Sequence, residues 1–150
     1  MSSKIAFHTA CQVFVEQRIA AARAAMQAAQ ESSSSETKSS AGDKYETGRE
    51  MANQERDRHA AQMQQAQQLL GQLQKINPDQ PCDTVRPGAL VSTSLGLFYL
   101  SIGAGKLRTA DGQEFLAVSP AAPVAAALSG QRAGSQVPFN GQPVRVEAIS

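Results

Sequence analysis

No proline occurs before Pro78, and this absence constrains the fold more than any motif in the chain. All seven prolines lie at Pro78 or beyond, and eight of the eleven glycines follow residue 84. A proline-free stretch rich in Ala, Gln, Glu and Arg lets helix propagate without interruption. Leu, Ile, Val and Phe number 10 in the first 84 residues and 19 in the last 66, so the large apolar side chains belong mainly to the second part. The first part can build only a narrow apolar seam. The second can build a core.

Val15, Ile19, Ala22, Met26 and Ala29 recur at spacings of four and three, which lines one stripe of a helix from about Lys4 to Glu31. His59, Gln62, Ala66, Leu69, Leu73 and Ile76 do the same on a second helix. Between them the polar run from Glu31 to Gly42, with serines from Ser32 to Ser35 and at Ser39 and Ser40, holds poor helix formers and predicts a turn. Two helices joined this way close as an antiparallel hairpin, each about 45 Å long for ~30 residues at 1.5 Å rise. Phe7, Phe14, Leu69 and Leu73 anchor its base. Asn77 to Pro81 reads as a linker, because proline halts a helix and biases the residue before it away from helical angles.

The remainder reads as a small α+β domain. Residues 88–93, 96–102 and 114–118 are expected as strands, with Gly103 to Lys106 turning the chain. Ser119 is the expected N-cap of a short helix with Pro120 at its first position and Gly130 just past its end. Residues 137–139 and 144–149 close the sheet around an Asn140-Gly141 turn. The expected division is a hairpin over 1–77 with its tip near 36–50, a linker over 78–84 and a globular domain over 85–150.

Composition excludes several functions. Fourteen Lys and Arg against thirteen Asp and Glu give a net charge of +1, too little to drive binding to nucleic acid or anionic lipid through bulk charge. Sequence-specific DNA binding is not expected. No stretch of 18 uncharged apolar residues occurs and no apolar secretory segment follows Met1, so no membrane role and a cytoplasmic location are expected. Cys11 and Cys82 suit free buried thiols in a reducing compartment. His8 and Cys11 are three apart on one helix, half of a metal set, but no further ligands converge on them. Gly103 to Lys106 lacks the spacing of a phosphate loop, and Ser119 has no His and Asp to activate it. As an isolated enzyme the chain is empty.

Gly42-Asp43-Lys44-Tyr45-Glu46-Thr47 is the informative stretch. Asp43 and Glu46, three apart, share one side of a helix start. Acids there complement the helix dipole, and Ser40 with Asp43 or Thr47 with Glu50 fits a capping pattern, which is a sufficient structural account. A second account is that two neighbouring carboxylates at the end of a long hairpin repel each other and receive a divalent cation.

The sequence resembles the Gre family of bacterial transcript cleavage factors. The family's Gly-Asp-x-x-Glu between two long helices is matched by Gly42, Asp43 and Glu46, and its later Ser-Pro, Ala, Leu and two glycines by Ser119-Pro120, Ala125, Leu128, Gly130 and Gly134. The likeness spans nearly the whole chain. It implies an N-terminal coiled-coil hairpin followed by an FKBP-like C-terminal domain. It also implies an accessory factor, not an enzyme: the globular domain grips RNA polymerase through Ser119 and Pro120, and the hairpin enters the secondary channel. There Asp43 and Glu46 would help hold a second Mg²⁺, bound only in the complex, for cleavage of the backtracked RNA 3′ end. Lys44 and Arg49 are candidate contacts to RNA phosphates, Arg56 and Arg58 weaker ones. The alternative is a Gre-like regulator that occupies the channel without cleavage; a third is a coiled-coil adaptor independent of polymerase. The sequence departs from the family pattern in two places: Thr47, Gly48, Arg49 and Glu50 follow Glu46 in place of Asn and Ala-Glu-Tyr, and Val118 precedes Ser-Pro in place of Asp or Asn. A family-like tip also requires the first helix to run through the serines nearly to Ala41; otherwise the tip is a longer loop.

Overall fold

The computed structural model describes the backbone of residues 3–36 and 42–150 and the side chains within them, except those of 32–36 and 42–47. Two long helices, α1 (Lys4–Glu36) and α2 (Gly42–Gln74), precede six strands and one short helix. Helix α1 runs five residues past the expected stop at Glu31, so Ser32 to Ser35 are helical against their weak propensity. Compactness divides the chain within the helices: one unit is Met1–Phe14 with Leu69–Ser150, the other Val15–Gln68.

Among the described residues the second unit consists of the two helices, and its buried residues lie on both. Val15, Ala22 and Ala29 on α1 and Ala52 and Ala66 on α2 are all buried. With five residues between Glu36 and Gly42, the pairing is an antiparallel hairpin. The seam is built mostly from alanine, as the sequence stripe predicts for α1. On α2 the half-buried Arg56, His59 and Met63 complete the same four-and-three spacing between Ala52 and Ala66. Small residues allow close approach but bury little area, about 25 cal/mol per Å² of apolar surface.

In the first unit, β1 (Leu90–Thr93), β2 (Gly96–Leu100), β3 (Gly105–Arg108), β4 (Glu114–Val118), β5 (Gln136–Phe139) and β6 (Gln142–Ile149) form one sheet in the order β3-β4-β2-β1-β6-β5. All pairings are antiparallel except β2 with β4, which run parallel. That exception arises because β3 takes the outermost position and the chain returns through a hairpin to place β4 beside β2. Gly103 to Lys106 is thus not only the expected turn: its last two residues open β3. The β5–β6 hairpin turns at Asn140 (φ 51°) and Gly141 (φ 75°), the positive pair a type I′ turn requires.

Register separates the two faces of the sheet. Val91 opposes Phe98 and Phe98 opposes Leu116, which puts these on one face together with Leu100, Val144 and Val146. The short helix α3 (Pro123–Leu128) covers this face through Ala125 and Leu128. Its start corrects the expectation at Ser119 and Pro120. The N-cap is Ala122 and the first-position proline is Pro123, while Ser119 to Ala122 form a turn closed by the Ala122 N–H donating to the Ser119 carbonyl at 3.0 Å. Two prolines three apart both suit a helix start, and the first sits where a β-turn also favours proline. Tyr99, Ser101, Phe115 and Ala117 lie on the other face. Helix α1 covers it, with Phe7 edge-on to Phe115 at 5.0 Å between ring centroids.

Candidate functional site

The acidic pair falls in the first two turns of α2. Gly42, Asp43, Lys44 and Glu46 are the first, second, third and fifth residues of that helix, which starts six residues after α1 ends. Three residues apart in a helix, the Asp43 and Glu46 positions neighbour one another on one face. The carboxylates of Asp43 and Glu46 and the ammonium of Lys44 lie outside the described residues. Arg49, one turn further on, is exposed. The sequence-predicted polymerase contacts, Ser119 and Pro120, occupy the turn between β4 and α3, Ser119 half-buried and Pro120 exposed. No charged side chain occurs from Phe115 to Gln131, so the loop and the outer side of α3 offer an uncharged surface.

A polar layer between α1 and the sheet was not legible in the sequence. His8 Nδ1 lies 2.7 Å from the Tyr99 hydroxyl, and Cys11 Sγ lies 3.7 Å from Ser101 Oγ. One turn before His8, Lys4 donates to the Gln80 carbonyl and reaches Cys82 Sγ at 3.8 Å. Burial lowers the His8 imidazole below its ordinary pKa. Burial also pushes the Cys11 thiol up to about 11, with the Ser101 hydroxyl acting the other way. The Tyr99 phenol is raised as well, first by burial and then by the neighbouring thiols of Cys11 and Cys82. Thiolate is the nucleophilic form, so burial keeps Cys11 from acting as an activated nucleophile. The alternation of β2 marks Tyr99 as inward-facing, but nothing in the sequence says which helix residue meets it.

Both cysteines are free and buried. Among the described residues no three of His, Cys, Asp and Glu gather as a metal set. No described helix is long and apolar enough to cross a membrane. On the sheet edge, Glu114 receives Arg108 and, at 3.2 Å, Lys106, and these two cations hold its carboxyl below the ordinary range, Arg108 first.

No family model and no curated protein matches the sequence. Among solved structures, the chain is similar to one described as the transcription factor Gfh1, at 20% sequence identity over 93% of each chain with a TM-score of 0.38.

Proposed function

We propose that the chain is an accessory factor of bacterial RNA polymerase that enters the secondary channel and stimulates cleavage of backtracked RNA. The observation that supports this most is the placement of Gly42-Asp43-x-x-Glu46. The motif begins α2 immediately after the short connection from α1, between two helices of 33 residues each.

The donor chemistry fits Mg²⁺, which prefers hard oxygen ligands in an octahedral shell. Two carboxylates leave that shell incomplete, so Asp43 and Glu46 would hold the ion only where polymerase supplies the other ligands. When bound, the metal stabilises charge on the attacking and leaving oxygens of the phosphodiester. Asp43 and Glu46 would contribute the negative charge that draws the ion in. Lys44 and Arg49, on the same stretch of α2, would contact phosphates of the RNA 3′ end. Docking belongs to the turn at Ser119 and Pro120, where the uncharged surface beside α3 suits an apolar contact on polymerase.

The test is cleavage in stalled elongation complexes. The wild-type chain should shorten transcripts in a Mg²⁺-dependent way, and Asp43→Ala or Glu46→Ala should abolish shortening while leaving polymerase binding intact. Pro120→Asp should weaken binding more than either tip substitution. A second reading, a channel-occupying regulator without cleavage, is favoured by Thr47 and Gly48 following Glu46, since glycine there weakens the helix that carries the acids. Binding without shortened transcripts at any Mg²⁺ concentration would select it. Absence of polymerase association would sink both.

A further inference from the structure

The two edges of the sheet are finished differently. At the β5 edge the Val146 N–H donates to the Ser135 carbonyl, which fixes the phase of the ladder: Ser135 and Val137 bond inward, while Gln136 and Pro138 face out. Pro138 has no N–H to offer, and α3 packs against β5. That edge is closed.

At the β3 edge the Thr109 N–H donates to the Gln113 carbonyl, so Thr109, Leu107 and Gly105 bond inward to β4. The N–H and C=O groups of Lys106 and Arg108 therefore point away from the sheet. Neither residue is a proline, and β3 is the last strand in the sheet order. The side chains of Lys106 and Arg108 stand on one face, 70% and 63% exposed, and both lean on the one carboxylate of Glu114. Two cations share one anion, so this face of the β3–β4 ladder carries a net positive charge, while the Asp111 carboxylate is held in the turn by the Thr109 hydroxyl.

We propose that the free edge of β3 accepts an extended acidic peptide segment as a seventh strand, with carboxylates at alternate positions set opposite Lys106 and Arg108. The main-chain groups of those two residues supply the ladder, and their side chains select for charge at every second position. Pairing with a second copy of this chain is disfavoured by the same residues. Two β3 edges set antiparallel about Leu107 would bring Lys106 of one against Arg108 of the other, like charges directly opposed. The edge thus rejects itself and admits an anion-bearing strand. This inference does not rest on the polymerase reading.

The test uses the full chain with two synthetic heptapeptides, one alternating Thr and Glu, the other alternating Thr and Gln, read by residue-resolved amide hydrogen exchange. The Glu peptide should slow exchange at the Lys106 and Arg108 amides severalfold and leave the Gln136 amide unchanged. It should bind about threefold to tenfold more tightly than the Gln peptide, as expected for two cross-strand charge pairs. The double variant Lys106→Gln with Arg108→Gln, checked for an unaltered amide spectrum, should lose that preference. Unchanged exchange at both amides under saturating peptide overturns the proposal. So does equal protection by the Gln peptide, or displacement of the Glu peptide by an oligouridylate of the same charge, which would make the patch a general anion surface.

Discussion

Helix α1 is continuous, yet its head and its stem are buried by opposite means. In the head, Phe7 and Cys11 pack on the sheet with large or polar-tagged side chains. In the stem, Val15, Ala22 and Ala29 face a second helix whose own buried residues there are Ala52 and Ala66. Buried and half-buried positions crowd the head, at 4, 6, 7, 8, 10, 11 and 14, and thin to the four-and-three stripe of 15, 19, 22, 26 and 29 in the stem. The compact units divide at this point, between Phe14 and Val15. Volume stabilises the head, whereas closeness stabilises the stem, and substitutions should separate the two.

Phe7→Ala should have the largest effect. A buried ring with an edge-on aromatic partner leaves a cavity when removed, and the loss should be about 3–5 kcal/mol in chemical denaturation. A loss under about 1 kcal/mol would mean that the head is not a core element. The stem should fail in the reverse direction. Ala22→Leu adds bulk to a seam built for small residues and should cost about 1–3 kcal/mol through overpacking. Stabilisation by Ala22→Leu would show that the seam has spare room, and the contrast between head and stem would fall.

Tyr99→Phe comes next, because it removes only an oxygen. The His8 ring nitrogen loses its partner 2.7 Å away while the aromatic body stays packed, so the expected loss is about 1–2 kcal/mol. The variant should leave thiol protection untouched: Cys11, buried and pushed to about 11, should resist iodoacetamide at pH 8 in wild type and Tyr99→Phe alike, and react only on unfolding. Ready alkylation of Cys11 in the native protein would contradict its burial under the head.

What could be read beforehand follows from the range of the forces involved. The helical stripe from Val15 to Ala29, the strand Glu114–Val118 and the Asn140-Gly141 turn are encoded within a few residues, and each stands as expected. The α3 start was misplaced by three residues because Pro120 and Pro123 carry the same local signal, and only packing of Ala125 and Leu128 against the sheet decides between them. Strand β3 is short and half polar, so its partner β4 defines it more than its own sequence does. The helix through Ser32–Ser35 is likewise propagated from outside, by a preceding run of good helix formers. In the candidate site, the entry of a second helix at the acidic motif was legible. The His8–Tyr99 and Cys11–Ser101 pairs were not, since they join residues some ninety positions apart.

The smallest effect expected is on pH dependence, and it belongs to the head, where His8 lies. Burial lowers the His8 pKa from 6.5, so below that pH the unfolded chain binds the proton more readily than the native one. Stability contributed by neutral His8 is fully present above pH 6.5 and is lost as pH falls from there toward the folded value. The hydrogen bond itself need not break: neutral His8 can accept the Tyr99 proton, and imidazolium can donate to the Tyr99 oxygen, so desolvation alone supplies the penalty. Urea midpoints at steps from pH 7.5 to pH 5 should therefore fall more steeply for wild type than for His8→Gln, with the difference confined to pH values below 6.5. Parallel curves would show that His8 is solvated in the native state. A steeper curve for His8→Gln would mean that the imidazolium is the stabilising form, with a counter-charge in the head that the described side chains do not provide.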